Sequence, residues 1–193
     1  FNYSECNQVV GIDLGINFLA TVYDSSHNTT FFSGKETKNK RAHFSKIRKE
    51  LQQVKTSSSR KRLKAIGSRE NRWMTDVNHR VTKALVEKYG SNTLFVIEDL
   101  SNVRQVTEKV RKRDRYISVS WAFYQFRQML EYKATLCGSK VVTVNPRHTS
   151  QTCPMCGHVE SSNRNKKLHV FKCKTCNYTS NDDRVAAMNL QNK

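Results

Sequence analysis

The spacing of apolar and polar positions changes several times along the chain, and each change marks an element. Residues 9–24, VVGIDLGINFLATVYD, hold two short apolar runs separated by Leu14-Gly15-Ile16-Asn17, which predicts a β-hairpin. TTFFSG adds a third strand. From Lys35 the period lengthens. Phe44, Ile47 and Leu51 recur at helical intervals, as do Leu63 and Ile66, with TSSS at 56–59 as a break between two helices. Residues 73–89 continue as helix, with Val77, Val81, Leu85 and Val86 on one face and Gly90 as the stop. TLFVIED reads as a buried strand ending in Glu98 and Asp99. WAFYQFRQMLEYKATLCG is an aromatic-rich helix closed by Gly138, KVVTVNP a strand stopped by Pro146, and DDRVAAMNL a last helix. Trp121, Phe123, Tyr124 and Phe126 on the aromatic helix read as core more than as a surface for stacking bases.

Charge adds a partner to this picture. The chain has 193 residues, 34 Lys+Arg against 16 Asp+Glu, and a net charge of +18, which suits a polyanion. Between Lys35 and Arg72 there are 14 basic residues and three Glu, and residues 101–118 carry a second basic run, RQVTEKVRKRDR, read as a loop. Lys46, Arg48, Lys49, Arg60, Lys61, Arg62, Lys64, Arg111, Lys112, Arg113 and Arg147 are the candidate contacts to a nucleic-acid backbone, with Arg164 a further one beside the cysteines. No apolar run approaches the length of a membrane span, and no signal peptide is visible. The first residue is Phe1, which is read as a sign that the chain is a piece of something longer.

Four of the six cysteines form two Cys-x-x-Cys pairs, Cys153/Cys156 and Cys173/Cys176, with 16 residues between them. Each pair offers two thiolates from one tight turn, and four sulfurs complete a tetrahedral shell, so the spacing predicts one structural Zn²⁺. Gly157 and Asn177 follow the second cysteine of each pair, where such a turn needs a permissive backbone. His158 and His169 are weaker candidates as substitute ligands, and Cys6 and Cys137 read as plain thiols.

Three acidic positions stand out by placement. Asp13 follows an apolar run between Gly11 and Gly15, Glu98 ends a buried strand, and Asp183 opens the last helix. Each alone has an ordinary reading as a turn former or helix cap. Together, at strand ends and a helix start, they can converge at one sheet edge and hold two Mg²⁺ for phosphodiester hydrolysis. Asp182 is the alternative to Asp183, and Asp99 a further candidate beside Glu98.

GIDLG, IEDL and DRVAAMNL resemble the three motifs of a RuvC, RNase H-like nuclease. With NPRHTSQTCPMCG and a cysteine ribbon just before the third motif, the chain from about residue 9 onward resembles the TnpB (OrfB) family of insertion-sequence proteins, related to type V CRISPR effectors. That resemblance implies an α/β, RNase H-like domain over residues 1–149, with a mixed sheet joining the three-stranded antiparallel unit to the strands ending at Glu98 and Asn145. A zinc ribbon would span 150–179, and the final helix 180–193. It implies RNA-guided, Mg²⁺-dependent cleavage of DNA in the cytoplasm of a prokaryotic cell, at the nucleoid when bound to DNA. The catalytic ligands would be Asp13, Glu98 and Asp183, with an N-terminal recognition and wedge part lying before this chain. A cleavage-deficient regulator that only binds nucleic acid is the alternative. The family's third motif commonly reads Asp-x-Asn-Ala-Ala, and Val185 stands at its Asn position. Actin-like ATPases share a GIDLG-type hairpin, but Ile16-Asn17-Phe18 replaces the small hydroxyl residues that would cradle phosphates there.

Overall fold

The structure of the protein is a computed structural model that describes residues 6–100 and 123–193. Arg111, Lys112, Arg113 and Trp121, together with the basic run predicted as a loop, lie outside these residues. β1 (Gln8–Asp13), β2 (Phe18–Tyr23) and β3 (Thr29–Ser33) form an antiparallel meander. β4 (Thr93–Glu98) and β5 (Lys140–Val144) then add in parallel on the far side of β1, giving the order β3-β2-β1-β4-β5. Between β3 and β4 run two helices, α1 (Lys35–Val54) and α2 (Ser57–Tyr89). α3 (Phe123–Leu136) precedes β5, and α4 (Asp182–Gln191) ends the fold.

Alternation along the strands sorts the two sheet faces. Val10, Ile12, Ala20, Val22, Phe95 and Ile97 point to one face, where they pack with Met74, Val77, Val81 and Leu85 of α2 and with Phe126 and Leu130 of α3. Each Val, Leu, Ile, Phe or Met side chain fully buried in this way contributes about 1.5–3 kcal/mol. Phe126 is therefore core, whereas Tyr124 on the same helix is 73% exposed. Gly11, Asp13 and Tyr23 fall on the opposite face, where Tyr23 packs with Ala187 and Met188 of α4.

The break predicted at 56–59 is a helix start: Thr56 caps α2, its hydroxyl accepting the Ser59 amide N–H at 3.2 Å. The antiparallel partner α1 is held to α2 by an Arg48–Glu70 ion pair, by Arg41 Nε on Met74 Sδ at 3.4 Å, and by Lys40 over the Trp73 ring. Lys46, Lys49, Arg60, Lys61, Arg62 and Lys64 remain on the exposed surface of this helical hairpin. Arg48 instead turns inward to Glu70, whose side chain is only 5% exposed, because a buried carboxylate needs a charged partner.

α4 lies almost against the β1 backbone. A Cβ at position 11 would fall 2.1 Å from the Ala187 carbonyl oxygen and 2.6 Å from the Gln191 nitrogen, so only glycine fits there. Gly11→Ala should force α4 off the sheet and lower the denaturant unfolding free energy by about 3 kcal/mol, the upper range for overpacking. Equilibrium unfolding with an unchanged midpoint would show that the contact is not needed.

Candidate active site and metal centre

Two strand ends and one helix start gather the acidic residues. Asp13 closes β1 and Glu98 closes β4. These parallel neighbours are in register from Gln8–Thr93 to Ile12–Ile97, so the two carboxylates fall side by side one step further on, on the α4 face. Asp183 is the second residue of α4. Its position is fixed by the Asn181 side chain, which accepts the amide N–H groups of Asp183 and Arg184, both at 3.0 Å. The helix N-terminus also favours negative charge there.

Asp13 lies close enough to Glu98 and Asp183 to feel the charge of both. Burial lifts the Asp13 carboxyl well above the usual range, and the charges of Glu98 and then Asp183 lift it further. Glu98 is raised by burial, against a hydrogen bond from Thr149 and the charges of Lys193 and Arg164. Asp183 is raised by burial and by Asp182, against Arg164 and His169. Protons or cations must balance such a group of carboxylates, and its all-oxygen donor set is the type that Mg²⁺ takes.

Asp182 has a different environment from its neighbour. Its side chain is 0% exposed and its Oδ2 accepts Arg164 Nε at 2.7 Å. Oδ1 accepts the Asp183 amide at 3.0 Å and lies 3.4 Å from His169 Nδ1. Asp183 retains 14% exposure, with its Oδ1 3.6 Å from Arg164. One oxygen from each of Asp182 and Asp183 and one His169 nitrogen lie within 4.8 Å of one another. Asp99, the other neighbour considered, is exposed. His169, weighed above as a zinc ligand, thus stands at the carboxylates. Arg164 reaches the same cluster from the ribbon, where the sequence offered only a phosphate contact. The sequence carries no local signal for either, because both arrive through long-range folding.

The four cysteine sulfurs converge, all within 4.8 Å of one another, with Cys153–Cys176 at 3.5 Å and Cys156–Cys173 at 3.6 Å. The two knuckles repeat one pattern. Gly157 N–H donates to Cys153 O at 2.9 Å and Asn177 N–H to Cys173 O at 3.1 Å, while Cys153 and Cys173 donate to the carbonyls of His158 and Tyr178. Gly157 (φ 74°) and Asn177 (φ 58°) both adopt the left-handed conformation expected of them. Backbone N–H donation, led by Cys176, holds the Cys173 thiol down at about 6, whereas burial lifts the Cys153 thiol. This donor set fits Zn²⁺. A three-stranded sheet, β6 (Arg164–Asn165), β7 (Val170–Lys172) and β8 (Thr179–Asn181), completes the ribbon.

The ribbon is joined to α4 through a shared core. Val185, at the family's Asn position, is 0% exposed and packs with Cys153, Phe171 and Cys173, so an apolar contact occupies the site where an amide was expected. Asn189 donates to the carbonyls of Thr149 and Thr152 at 2.7 and 2.8 Å, and Thr149 in turn bonds Glu98. Arg184 reaches back to Thr29 on β3 at 2.9 Å and to Tyr178 and Ser180 at 3.2 and 3.1 Å. Arg147, the last basic candidate, is exposed at the entry to the ribbon.

A five-stranded mixed sheet with carboxylates gathered at one edge, and a four-cysteine ribbon inserted before the final helix, defines a mixed α/β fold with an inserted ribbon. The chain belongs to the OrfB_IS605 family, whose model, described as probable transposase, matches residues 2–110, and a Cas12f1-like TNB domain model matches residues 123–190. It is 30% identical to the CRISPR-associated endodeoxyribonuclease Cas12f1 of Sulfoacidibacillus thermotolerans, over 96% of this chain and 46% of the relative. It is 33% identical to a TnpB-like protein of Methanocaldococcus jannaschii, over 92% of this chain and 65% of that one. A putative RNA-guided DNA endonuclease of Escherichia coli, InsQ, is 29% identical over 94% and 48%. The chain thus spans about half the length of two of these curated relatives and 65% of the third. Among solved structures, a Cas12f1–sgRNA–target DNA complex matches with a TM-score of 0.75 at 21% identity, covering 100% of this chain and 51% of the other, which establishes a shared fold.

Two outcomes follow from the geometry. The folded pKa of Asp13 lies above its unfolded value near 4, so the fold binds that proton more tightly and loses stability as pH rises through the folded pKa. In metal-free protein, Asp13→Asn should therefore raise the melting temperature at pH 7 and leave it unchanged near pH 3, and added Mg²⁺ should stabilise only the wild type. Equal shifts at both pH values would contradict this. Cys173→Ser, or zinc chelation, should loosen α4 as well as the ribbon, seen as faster amide exchange at Val185–Leu190, because the two share one core.

Proposed function

We propose that this chain is the nuclease portion of an RNA-guided, metal-dependent DNA endonuclease, in which Asp13, Glu98 and Asp183 hold two Mg²⁺. The observation that carries this reading is the gathering of three carboxylates, each with raised proton affinity, inside a protein of net charge +18. Bound Mg²⁺ would supply an activated water and counter-charge for the leaving oxygen. Asp13 feels both other carboxylates and would be the ligand common to the ions, with Glu98 and Asp183 completing the set. Thr149 restrains Glu98, and Arg164 limits the excess negative charge around the site.

The exposed cations of the α1–α2 hairpin, Lys46, Lys49, Arg60, Lys61, Arg62 and Lys64, with Arg147, would follow phosphates of DNA or guide RNA. Guide pairing would select sequence while the protein reads backbone and shape. The relatives named as RNA-guided or CRISPR-associated support that partner choice, and the rest of their length would supply the recognition and wedge part. Residues 1–149 and 180–193 would form the nuclease unit and 150–179 the ribbon, with one structural Zn²⁺ on Cys153, Cys156, Cys173 and Cys176. Among the described residues no helix is long and apolar enough to cross a membrane, in keeping with work at DNA in a prokaryotic cytoplasm.

The test is cleavage of labelled single-stranded DNA with and without guide RNA. Asp13→Ala, Glu98→Ala and Asp183→Ala should each abolish Mg²⁺-dependent cutting while DNA affinity holds. That affinity should fall by orders of magnitude between about 50 and 300 mM salt, as expected for six or more phosphate contacts. Binding without any cutting in Mg²⁺ or Mn²⁺ would mark a cleavage-deficient regulator instead.

A further inference from the structure

His169 makes contacts that neither the zinc site nor the carboxylate ligands require. It lies between β6 and β7 with φ 53°, a conformation uncommon for a residue with a side chain. Its carbonyl accepts from Asn181 Nδ2 at 3.2 Å and from the Asp182 amide at 3.3 Å, so its backbone is tied to the start of α4. Its ring spans two parts of the fold. Nε2 lies 2.8 Å from Asn17 Nδ2 in the β1–β2 turn, and Nδ1 lies 3.4 Å from Asp182 Oδ1. Nδ1 is buried and makes no hydrogen bond, the Asp182 oxygen being the acceptor nearest to it.

The protons on this chain of groups can be assigned by elimination. Lys38 Nζ, on α1, lies 2.8 Å from Asn17 Oδ1, and an ammonium only donates. Lys38 therefore fixes which end of the Asn17 amide is oxygen. The other end, Nδ2, only donates, so His169 Nε2 must accept and carries no proton. The neutral ring then holds its proton on Nδ1, facing Asp182. Asp182 is the fully buried carboxylate whose other oxygen takes Arg164 and whose Oδ1 takes the Asp183 amide. A buried carboxylate that loses a polar neighbour on one side shifts toward its remaining partners, and that change moves Asp183 and Arg164 with it.

Resting on the nuclease reading above, we infer that His169 is a positioning residue. It holds Asp182, and through it Asp183 and Arg164, in the working arrangement, and Lys38 on the basic helix α1 sets its tautomer through Asn17. The hairpin that would touch nucleic acid is thereby connected to the carboxylate site by two hydrogen bonds, Lys38 to Asn17 and Asn17 to His169, and by the 3.4 Å approach of His169 to Asp182.

The test uses the full chain with zinc bound. Long-range ¹⁵N correlation spectra should show His169 as the neutral Nδ1–H tautomer, and Lys38→Met should weaken that preference. His169→Phe should lower the single-turnover cleavage rate about 10–100-fold, the usual cost of losing an outer-shell partner. DNA affinity, zinc content and melting temperature should hold, which a purely structural role would not give. His169→Gln keeps one acceptor and one donor and should recover most of the lost rate. Lys38→Met should slow cutting several-fold by itself and add little to His169→Phe, since both act on one line of contacts. An Nε2–H tautomer, or a His169→Phe protein cutting at the wild-type rate, would overturn the inference. Should the wild type cut nothing, the nuclease reading fails, and Mn²⁺ affinity decides this one: about a tenfold loss in His169→Phe supports it and an unchanged affinity overturns it.

Discussion

The contact between the backbone of α4 and Gly11 is the constraint on which the rest of the arrangement rests. With no Cβ at that position, a helix carbonyl and a helix nitrogen come within reach of β1, closer than any other residue allows. This sets α4 along the strand that ends in Asp13, so that the helix N-terminus with its two aspartates arrives at the same end. Everything fastened to α4 is placed by the same contact. Val185 carries the core of the ribbon, Asn189 fixes the loop that bonds Glu98, and Arg184 returns to β3. The cysteine knuckles, although remote in chemistry from a carboxylate cluster, share a core with the helix that positions it.

A second theme is the division of labour between adjacent charges. Asp182 and Asp183 are neighbours in a helix start, yet one is fully buried under Arg164 and His169 while the other keeps an exposed edge toward Asp13. A carboxylate in low dielectric is stable only when paired, and the pairing of Asp182 frees Asp183 from that need. The cluster of Asp13, Glu98 and Asp183 has the opposite character. Burial raises all three, and Asp13 is raised further by the charges of the other two, so the fold holds an electrostatic cost that protons or cations relieve. Such a group of carboxylates stands out inside a molecule of net charge +18.

Local information carried a large part of this structure. Strand alternation and helical spacing placed the hairpin, β3, the long helices, β4 and β5, because those patterns reflect which face of one element is apolar. The order of elements, with a family resemblance, gave the mixed sheet. Cysteine spacing marked the ribbon because two tight turns with two sulfurs each leave few other arrangements, and the left-handed residues after each pair followed from the same turn chemistry. The aspartates at 13 and 183 and the glutamate at 98 were legible as a set because each sits at an element end.

The tertiary structure alone decided the rest, since it depends on residues far apart in the chain. Burial of Asp182 comes from Arg164, 18 positions earlier, and the His169 ring meets Asn17 across 152 positions. No periodicity encodes either contact. Arg48 looked like its neighbours along α1, but the packing of α2 brought Glu70 to it and removed it from the exposed set. Val185 looked like a lost polar group until the ribbon folded over it. A sequence fixes which residues an element presents and in what rhythm. What each one touches is fixed by the close approach of elements, and here that approach was set by a single missing side chain at position 11.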